Sequence, residues 1–149
     1  MKEYFPLFEN LNIVLASGSP RRSQLLSEAG IKFFVVVPDV LEFFPIGLKA
    51  QEIALYLCKL KSDSVDINDY TDNTVIISAD TIVLLNNEML SKPTDEAYAK
   101  AILKKLSNNM HEIITGVYLK SKTNNIIFTV TTKVFFKELN EQEIYYYLA

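Results

Sequence analysis

The sequence predicts an α/β domain in which a mixed sheet lies between layers of flanking helices, a three-layer arrangement. Two observations lead to this fold class. Short runs rich in β-branched and aromatic residues alternate with segments of helical apolar spacing along the chain. The 149 residues, 49% of them apolar and 22% charged, have the composition of a globular protein. We therefore expect a single domain over residues 1–149, without internal repeats.

The first predicted unit is a strand, a turn and a short helix. Asn12–Ala16 is an apolar run that predicts a buried strand, and Ser17–Pro20 predicts the turn that follows it. Ser19 is suited to cap a helix with its side chain, and Pro20 to occupy the first helical position. Gly30 is expected to end this helix.

The middle of the chain predicts two more strands and a longer helix. Ile31–Val37 favours a strand because β-branched and aromatic residues dominate it. Helical spacing of apolar residues predicts an amphipathic helix from Lys49 to about Ser62, and the polar stretch Asp63–Asn73 predicts a surface loop. Thr74–Ser78 predicts a third strand, with Ala79-Asp80-Thr81 at its end.

The last part of the chain is rich in β-structure. Ile82–Leu85 and Met89–Leu90 flank Asn86-Asn87-Glu88 and predict a hairpin. Thr94 is expected to cap a helix that ends at Ser107-Asn108-Asn109. Its expected apolar face consists of Ala97, Ala101, Ile102 and Leu106. Two long strands, over Glu112–Leu119 and Ile126–Phe136 with a turn at Ser121–Asn125, precede a final helix expected from Asn140 to Ala149.

Charge and composition exclude several classes of protein. The formal net charge of −3 gives no global basic field for nucleic acid or anionic lipid, so no nucleic-acid polymer is expected as a partner. The single cysteine, Cys58, excludes a disulfide framework and a cysteine-based zinc site. The longest apolar run, Phe33–Val37, is too short to span a membrane, and the N-terminus lacks a signal-peptide pattern. We expect a cytoplasmic protein that binds no membrane.

The two arginines are the most informative residues. The chain contains 13 lysines but only Arg21 and Arg22 as arginines, adjacent in the first turn of a predicted helix. Guanidinium groups recognise phosphate with several hydrogen bonds, and the amides of the Ser17–Pro20 turn and the helix dipole would converge on the same anion. Ser17 and Ser19 are therefore candidate phosphate-binding residues with the arginines. Two solvated surface arginines remain the alternative, and neither a Walker A loop nor a dinucleotide fingerprint is present.

Acidic residues supply candidates for proton transfer or metal binding. Asp80 follows a predicted apolar strand, and ligands of open α/β sheets bind beyond the carboxyl ends of strands. Its carboxylate could bind a metal or accept a proton, with the Thr81 hydroxyl beside it, or it could only cap a turn. Glu42 is a second acidic candidate, and Asp39 competes with it. Carboxylates beside cationic clamps would suit hydrolysis of a phosphate with Mg²⁺ or Mn²⁺.

Other polar and aromatic residues have weaker functional signals. Lys61, on the second predicted helix, and Lys92, held between Ser91 and Pro93, could reach a phosphate but could equally be solvated lysines. His111 favours a structural role as a hydrogen-bonding histidine, because no Ser or Cys partner is evident. The tyrosines at 145–147 could stack on bases, although packing in a core or interface is favoured for at least two of them.

Four motifs in this order closely resemble the Maf family of nucleoside triphosphate pyrophosphatases. They are Leu15-Ala16-Ser17-Gly18-Ser19-Pro20-Arg21-Arg22 followed by Leu25-Leu26 and Gly30, Ser78-Ala79-Asp80-Thr81-Ile82-Val83, Lys92-Pro93, and Leu106-Ser107 with His111 and Thr115-Gly116-Val117. The match is collinear from about residue 12 to the end. The resemblance implies a fold similar to the inosine triphosphatase group, with a nucleotide cleft between two lobes. It also implies hydrolysis of a nucleoside triphosphate to the monophosphate and pyrophosphate with a divalent cation, Mg²⁺ or Mn²⁺, in the housecleaning of nucleotide pools.

The resemblance also implies roles for individual residues. Asp80 matches the proton acceptor and metal ligand, Glu42 the acidic loop position that would share the metal, and Lys92 the catalytic lysine of a Gly-Lys-Pro-like motif. Lys61 and the arginine pair match substrate-binding positions. The pairing of Arg21 with Thr81 is similar to the branch that prefers dTTP and UTP. Family members are commonly dimers, so a homodimer is expected.

The sequence departs from the family pattern at three places. Ser91 replaces a glycine before Lys-Pro, and Asn108 replaces a glycine where asparagine can adopt the same left-handed backbone. Family members also continue past the equivalent of Ala149 with a glycine-rich segment whose glutamine helps to read the base. We therefore expect a C-terminally short chain, and the alternatives to an enzyme are a catalytically silent nucleotide-binding protein or a fragment with an interaction role.

Overall fold

The structure, a computed structural model, describes residues 8–148. It is a mixed α/β fold of six strands with flanking helices, as the sequence predicts. The strands are β1 (Asn12–Ala16), β2 (Phe34–Val36), β3 (Thr74–Leu85), β4 (Glu88–Leu90), β5 (Met110–Lys120) and β6 (Asn125–Phe135). The helices are α1 (Pro20–Glu28), α2 (Ala50–Asp63), α3 (Glu96–Leu106) and α4 (Glu141–Leu148).

The chain divides into two compact units, which we describe separately. Unit 1 comprises Met1–Asp80 and Thr115–Thr129, and unit 2 comprises Thr81–Ile114 and Val130–Ala149. The strands β3, β5 and β6 each contribute residues to both units. The strand order is β2-β1-β3-β5-β6, and β4 pairs with β3.

The parallel strands of unit 1 contribute side chains to its apolar core. β1 pairs in parallel with β2 on one side and with β3 on the other, where Asn12 lies opposite Thr74 and Ala16 opposite Ser78. One core cluster consists of Val14, Ala16, Val65, Ile67 and Ile76. The bounds of β1 are those that its apolar run predicts. Its sequence does not alternate apolar and polar residues because the strand is buried on both faces.

Helix α1 begins and ends close to the predicted positions, but the capping of its N-terminus differs. Ser19 occupies the N-cap, as predicted, but its side chain makes no capping bond, and its amide donates to the Ser17 hydroxyl at 3.2 Å. At the other end, the amides of Gly30 and Ile31 donate to the carbonyls of residues 27 and 26, at 2.9 and 3.0 Å. This is a Schellman motif, and the φ of 75° at Gly30 explains the glycine there.

Strand β3 corrects the prediction that the third strand ends at Ser78. It continues without interruption through Asp80 to Leu85, so Asp80 lies within a strand and does not cap a turn. The continuation has pairing partners of its own, because Val83–Leu85 pair with β4 in antiparallel register. The hairpin itself is confirmed, with a two-residue turn at Asn86 and Asn87, where φ is 49° and 66°.

Other boundaries shift by a few residues. β2 retains only three of the predicted seven residues, and these are the three that pair with β1. Asp95, rather than Thr94, caps α3, because its side chain accepts the Tyr98 amide at 2.7 Å. The predicted apolar face of α3 is partly wrong, since Ala97 and Ala101 are exposed and Leu103 is buried with Leu106.

The C-terminal elements follow the prediction closely. β5 is longer than expected at both ends, and β6 is displaced by one residue. Helix α4 begins after Asn140, whose backbone amide donates to the Glu143 carboxylate at 3.0 Å and whose side-chain oxygen accepts the Glu143 amide at 2.9 Å. The predicted last helical residue, Ala149, lies outside the described residues. Over residues 8–148, the structure contains no helix with the length and apolar character needed to cross a bilayer.

Candidate active site

Three charged side chains of unit 1 form one ion-pair cluster. The Lys61 ammonium lies between two carboxylates and pairs with Asp80 Oδ1 and, at 2.9 Å, with Glu42 Oε1. Lys61 and Asp80 are only 8% and 6% exposed. Because burying a charge is costly without a partner, the lysine and aspartate stabilise each other in this position.

The elements that carry these residues explain why they meet. Asp80 lies two residues after Ser78, the last residue of β3 that pairs with β1, and is therefore next to the carboxyl end of β1. Lys61 lies in the last turn of α2, and Glu42 lies in the loop between β2 and α2. The cluster thus forms at the end of the parallel strands where ligands of open α/β sheets bind.

The turn after β1 connects to the same cluster through Arg22. Arg22 Nη1 donates to the Ser17 hydroxyl at 3.1 Å and to the Ala79 carbonyl at 2.8 Å. Burial lowers the pKa of Arg22, and the nearby carboxylates of Asp80 and Glu42 oppose that shift. The guanidinium is therefore part of the charge cluster, and the reading of both arginines as solvated surface residues is wrong for Arg22.

The two acidic loop candidates differ in their contacts. Glu42 pairs with Lys61, whereas Asp39 is exposed and has no ion pair with any residue that the structure describes. Arg21, the other arginine of the predicted phosphate site, follows the N-terminal residue of α1 and is exposed. Ser17 is buried, and Ser19 is half-buried beside it.

Two predicted site residues belong to unit 2. Thr81 follows Asp80 directly in β3 and is exposed. Lys92 lies between β4 and α3, is exposed, and has no ion pair within residues 8–148. The roles of these two residues stay predictions.

The remaining candidates are structural or exposed. His111 is 4% exposed and packs against Phe136, with ring centroids 5.4 Å apart. Its expected hydrogen bond is missing at Nδ1, which has no partner within the described part of the chain. Tyr145, Tyr146 and Tyr147 are all exposed, so the expectation of packing in a core is wrong, whereas packing in an interface stays a prediction.

The family resemblance implies a divalent cation, for which the carboxylates of the cluster are the candidate ligands. Over residues 8–148, no group of three or more His, Cys, Asp or Glu side chains is placed to hold a metal ion. Asp80 and Glu42 nevertheless provide two hard oxygen donors on either side of one lysine. Such a pair fits an ion of the Mg²⁺ type, which is commonly held by one or two carboxylates together with water and substrate phosphates.

Sequence reasoning missed one polar residue beside the cluster. Ser78 is fully buried, and its hydroxyl donates to the Cys58 carbonyl of α2 at 2.6 Å. The available signal was a serine in an otherwise apolar strand run, two residues before the candidate aspartate.

The fold and the cluster define an α/β protein with paired carboxylates and cations at the carboxyl end of its parallel strands. The family model described as Maf-like protein matches residues 12–149. The chain belongs to the Maf family.

Curated relatives support this assignment, and a solved structure shares the fold. The chain is 48% identical over 139 residues to a dTTP/UTP pyrophosphatase from Cytophaga hutchinsonii, covering 93% of this chain and 63% of that protein. It is 43% identical over 141 residues to a dTTP/UTP pyrophosphatase from Flavobacterium psychrophilum, covering 95% of this chain and 72% of the relative. The structure of the Staphylococcus aureus Ham1 protein shares the fold, with a TM-score of 0.51 and 16% identity over 83% of this chain and 71% of that one.

Proposed function

We propose that this protein hydrolyses a nucleoside triphosphate, with dTTP and UTP as the favoured substrates, to the nucleoside monophosphate and pyrophosphate. The observation that carries the proposal is the buried Lys61–Asp80 pair, joined by Glu42 and next to the Arg22 turn. Relatives that bear the name dTTP/UTP pyrophosphatase support both the reaction and the nucleotide preference.

The proposed chemical step is attack of water on the α-phosphorus. The water oxygen bonds to that phosphorus, the bond to the oxygen that bridges the α- and β-phosphorus breaks, and pyrophosphate leaves with the bridging oxygen. The Asp80 carboxylate takes the proton that the water loses. Lys61 holds this carboxylate in position, which restricts the direction in which a reacting water can approach.

The cations of the site would compensate the negative charge of the triphosphate. Arg22 is held by Ser17 and the Ala79 carbonyl, so its guanidinium is preorganised before substrate binds. Arg21, at the start of α1, would add a second guanidinium beside the positive end of the helix dipole. We assign phosphate binding to this pair, with Ser17 and Ser19. We assign substrate binding to Thr81 and a catalytic role to Lys92, whose ammonium would stabilise the leaving pyrophosphate.

We further propose that Asp80 and Glu42 hold a divalent cation, Mg²⁺ or Mn²⁺, when the nucleotide binds. Such an ion would neutralise charge on the phosphates and would reduce their repulsion from the two carboxylates. The same family resemblance supports a homodimer, which sedimentation of the purified protein would test. A cytoplasmic location, expected from the composition, stays a prediction.

The decisive variant is Asp80→Asn. Because it keeps the size of the side chain but cannot accept the proton, we expect pyrophosphate release from dTTP and UTP with Mn²⁺ to fall by about 100-fold or more. The matched control is Asp63→Asn, which removes a carboxylate that pairs with Lys59 and Lys120 outside the cluster. Release by the control should equal that of the wild type.

Calorimetric titration separates catalysis from binding alone. Saturable binding of dTTP or UTP without pyrophosphate release by the wild type would favour a catalytically silent binding protein. Release by Asp80→Asn at the wild-type rate would contradict the role assigned to this aspartate.

A further inference from the structure

Ser78 makes a contact that the proposed reaction does not use. It lies on β3 with no exposed surface, and its hydroxyl donates to the Cys58 carbonyl at 2.6 Å. The same hydroxyl lies 3.5 Å from the Tyr118 carbonyl of β5. A buried hydroxyl therefore links α2 to the sheet close to the charged cluster.

The Ser78 contact and the Lys61–Asp80 ion pair join the same two elements. Ser78 and Asp80 are two residues apart in a strand, so their side chains point to the same face of the sheet. Cys58 and Lys61 are three residues apart in α2, and residues at this spacing lie on the same side of a helix. The neutral hydrogen bond and the ion pair therefore join α2 to β3 at neighbouring positions on both elements.

Gly116 of β5 sets the distance between the helix and the sheet. A Cβ atom at this position would lie 2.5 Å from the Ala54 carbonyl oxygen and 2.9 Å from the Leu55 amide nitrogen. Ala54 is one turn before Cys58 in α2. The absence of a side chain at Gly116 thus allows α2 to lie close to the sheet, next to the Ser78–Cys58 hydrogen bond.

We propose that Ser78 is a positioning residue, whose hydrogen bond to the Cys58 carbonyl holds α2 in the register that places the Lys61 ammonium against the Asp80 carboxylate. The inference rests on the proposed function for its catalytic consequence. The register itself is a structural property that can be measured without turnover.

Removal of the hydroxyl is a small change with a specific consequence. The Cys58 carbonyl keeps its place in the helix, where the amide four residues later can still donate to it, so Ser78→Ala leaves no isolated buried acceptor. The variant loses the bond that ties helix to strand. The predicted effect is on the position of Lys61 rather than on the integrity of the fold.

The first experiment compares Ser78→Ala with Thr74→Val in pyrophosphate release. Thr74 is also fully buried on β3, but it lies at the start of the strand, away from the charged cluster. Its hydroxyl lies 3.2 Å from the Thr71 hydroxyl. We expect Ser78→Ala to lower kcat by roughly 10-fold to 100-fold with little change in KM, because a proton acceptor displaced by a fraction of an ångström slows the chemical step. Thr74→Val should keep the kcat of the wild type.

The second experiment tests whether Ser78 acts through Lys61. In a Lys61→Met background, Ser78→Ala should cause no further loss of kcat, because the group that it positions is absent. If Ser78→Ala does not fold, Ser78→Cys replaces it in both experiments. The thiol is a weaker donor of similar size, and an intermediate kcat is expected.

The third measurement is independent of turnover. The buried Lys61 ammonium should give a side-chain ¹H–¹⁵N resonance, assigned by its loss in Lys61→Arg, because two carboxylates hold its protons. We expect this resonance to broaden or disappear in Ser78→Ala and to persist in Thr74→Val.

A wild-type protein that releases no pyrophosphate would overturn the proposed function, whereas the ammonium resonance would still test the register. An unchanged resonance in Ser78→Ala, an equal loss of kcat in Thr74→Val, or an undiminished effect in the Lys61→Met background would each overturn the positioning role.

Discussion

Replacement of Gly116 by alanine should destabilise unit 1 far more than a glycine-to-alanine change usually does. The new methyl carbon would lie 2.5 Å from the Ala54 carbonyl oxygen, whereas carbon and carbonyl oxygen ordinarily approach to about 3.3 Å. The two elements must therefore separate by about 0.8 Å. The opposing atoms belong to the backbone of α2 and cannot rotate away.

The magnitude follows from the cost of overpacking. Extra methylenes in a packed core cost typically about 1–3 kcal/mol, and the backbone obstacle at Gly116 favours the upper part of this range. We expect the free energy of unfolding, measured by urea denaturation, to fall by about 3 kcal/mol with an unchanged dependence on denaturant.

Gly18→Ala is the matched control for this measurement. A methyl group at Gly18 would lie 3.2 Å from a Val37 side-chain carbon, which can shift at low cost. Because alanine also restricts the unfolded chain, this variant should be neutral or more stable by about 0.5 kcal/mol. Equal stability of Gly116→Ala and the wild type, or equal losses in both variants, would refute the steric reasoning.

Two further predictions concern His111 and Arg22. Burial lowers the pKa of His111 in the folded protein. The contribution of this histidine to stability is therefore present above its pKa in the unfolded chain, about 6.5, and is lost as pH falls through its lower pKa in the folded protein. Urea unfolding at about pH 7 and about pH 5 should show this loss, and a loss of the same size in His111→Phe would contradict it. Arg22→Lys keeps the charge, but a single ammonium nitrogen cannot reproduce a planar guanidinium that donates to both Ser17 and the Ala79 carbonyl. We expect the KM for dTTP to rise by roughly tenfold in steady-state assays of pyrophosphate release. An unchanged KM would exclude a role for the guanidinium geometry.

Local sequence signals predicted the elements whose boundaries depend on neighbouring residues. Such local signals are the apolar run of β1, the proline at the start of α1 and the glycine after the end of α1. Each acts on residues close to it in sequence, and the structure has both elements where they were predicted. The β3–β4 hairpin was predictable for the same reason, since the asparagines of its turn tolerate positive φ. The ordered motifs around them also led to the family.

The end of the third strand could not be predicted in this way. Ala79-Asp80-Thr81 interrupts the apolar run, and the sequence therefore indicated that the strand stops. The observed strand continues because residues 83–85 find hydrogen-bonding partners in β4. Strand length is decided by pairing with other strands, which local propensity does not contain.

The sequence by itself determined which chemical groups this protein has and which family it belongs to. It did not determine that Lys61 would lie between Glu42 and Asp80, or that Glu42 rather than Asp39 would reach the lysine. Lys61 and Asp80 are 19 positions apart, and Arg22 and Ala79 are 57 apart. Contacts of this kind depend on the register of β1 with β3 and on how closely α2 approaches the sheet. The missing side chain of Gly116 permits that approach, and the Ser78 hydroxyl is proposed to set the register of the helix. The partners of both residues become their neighbours only when the chain has folded.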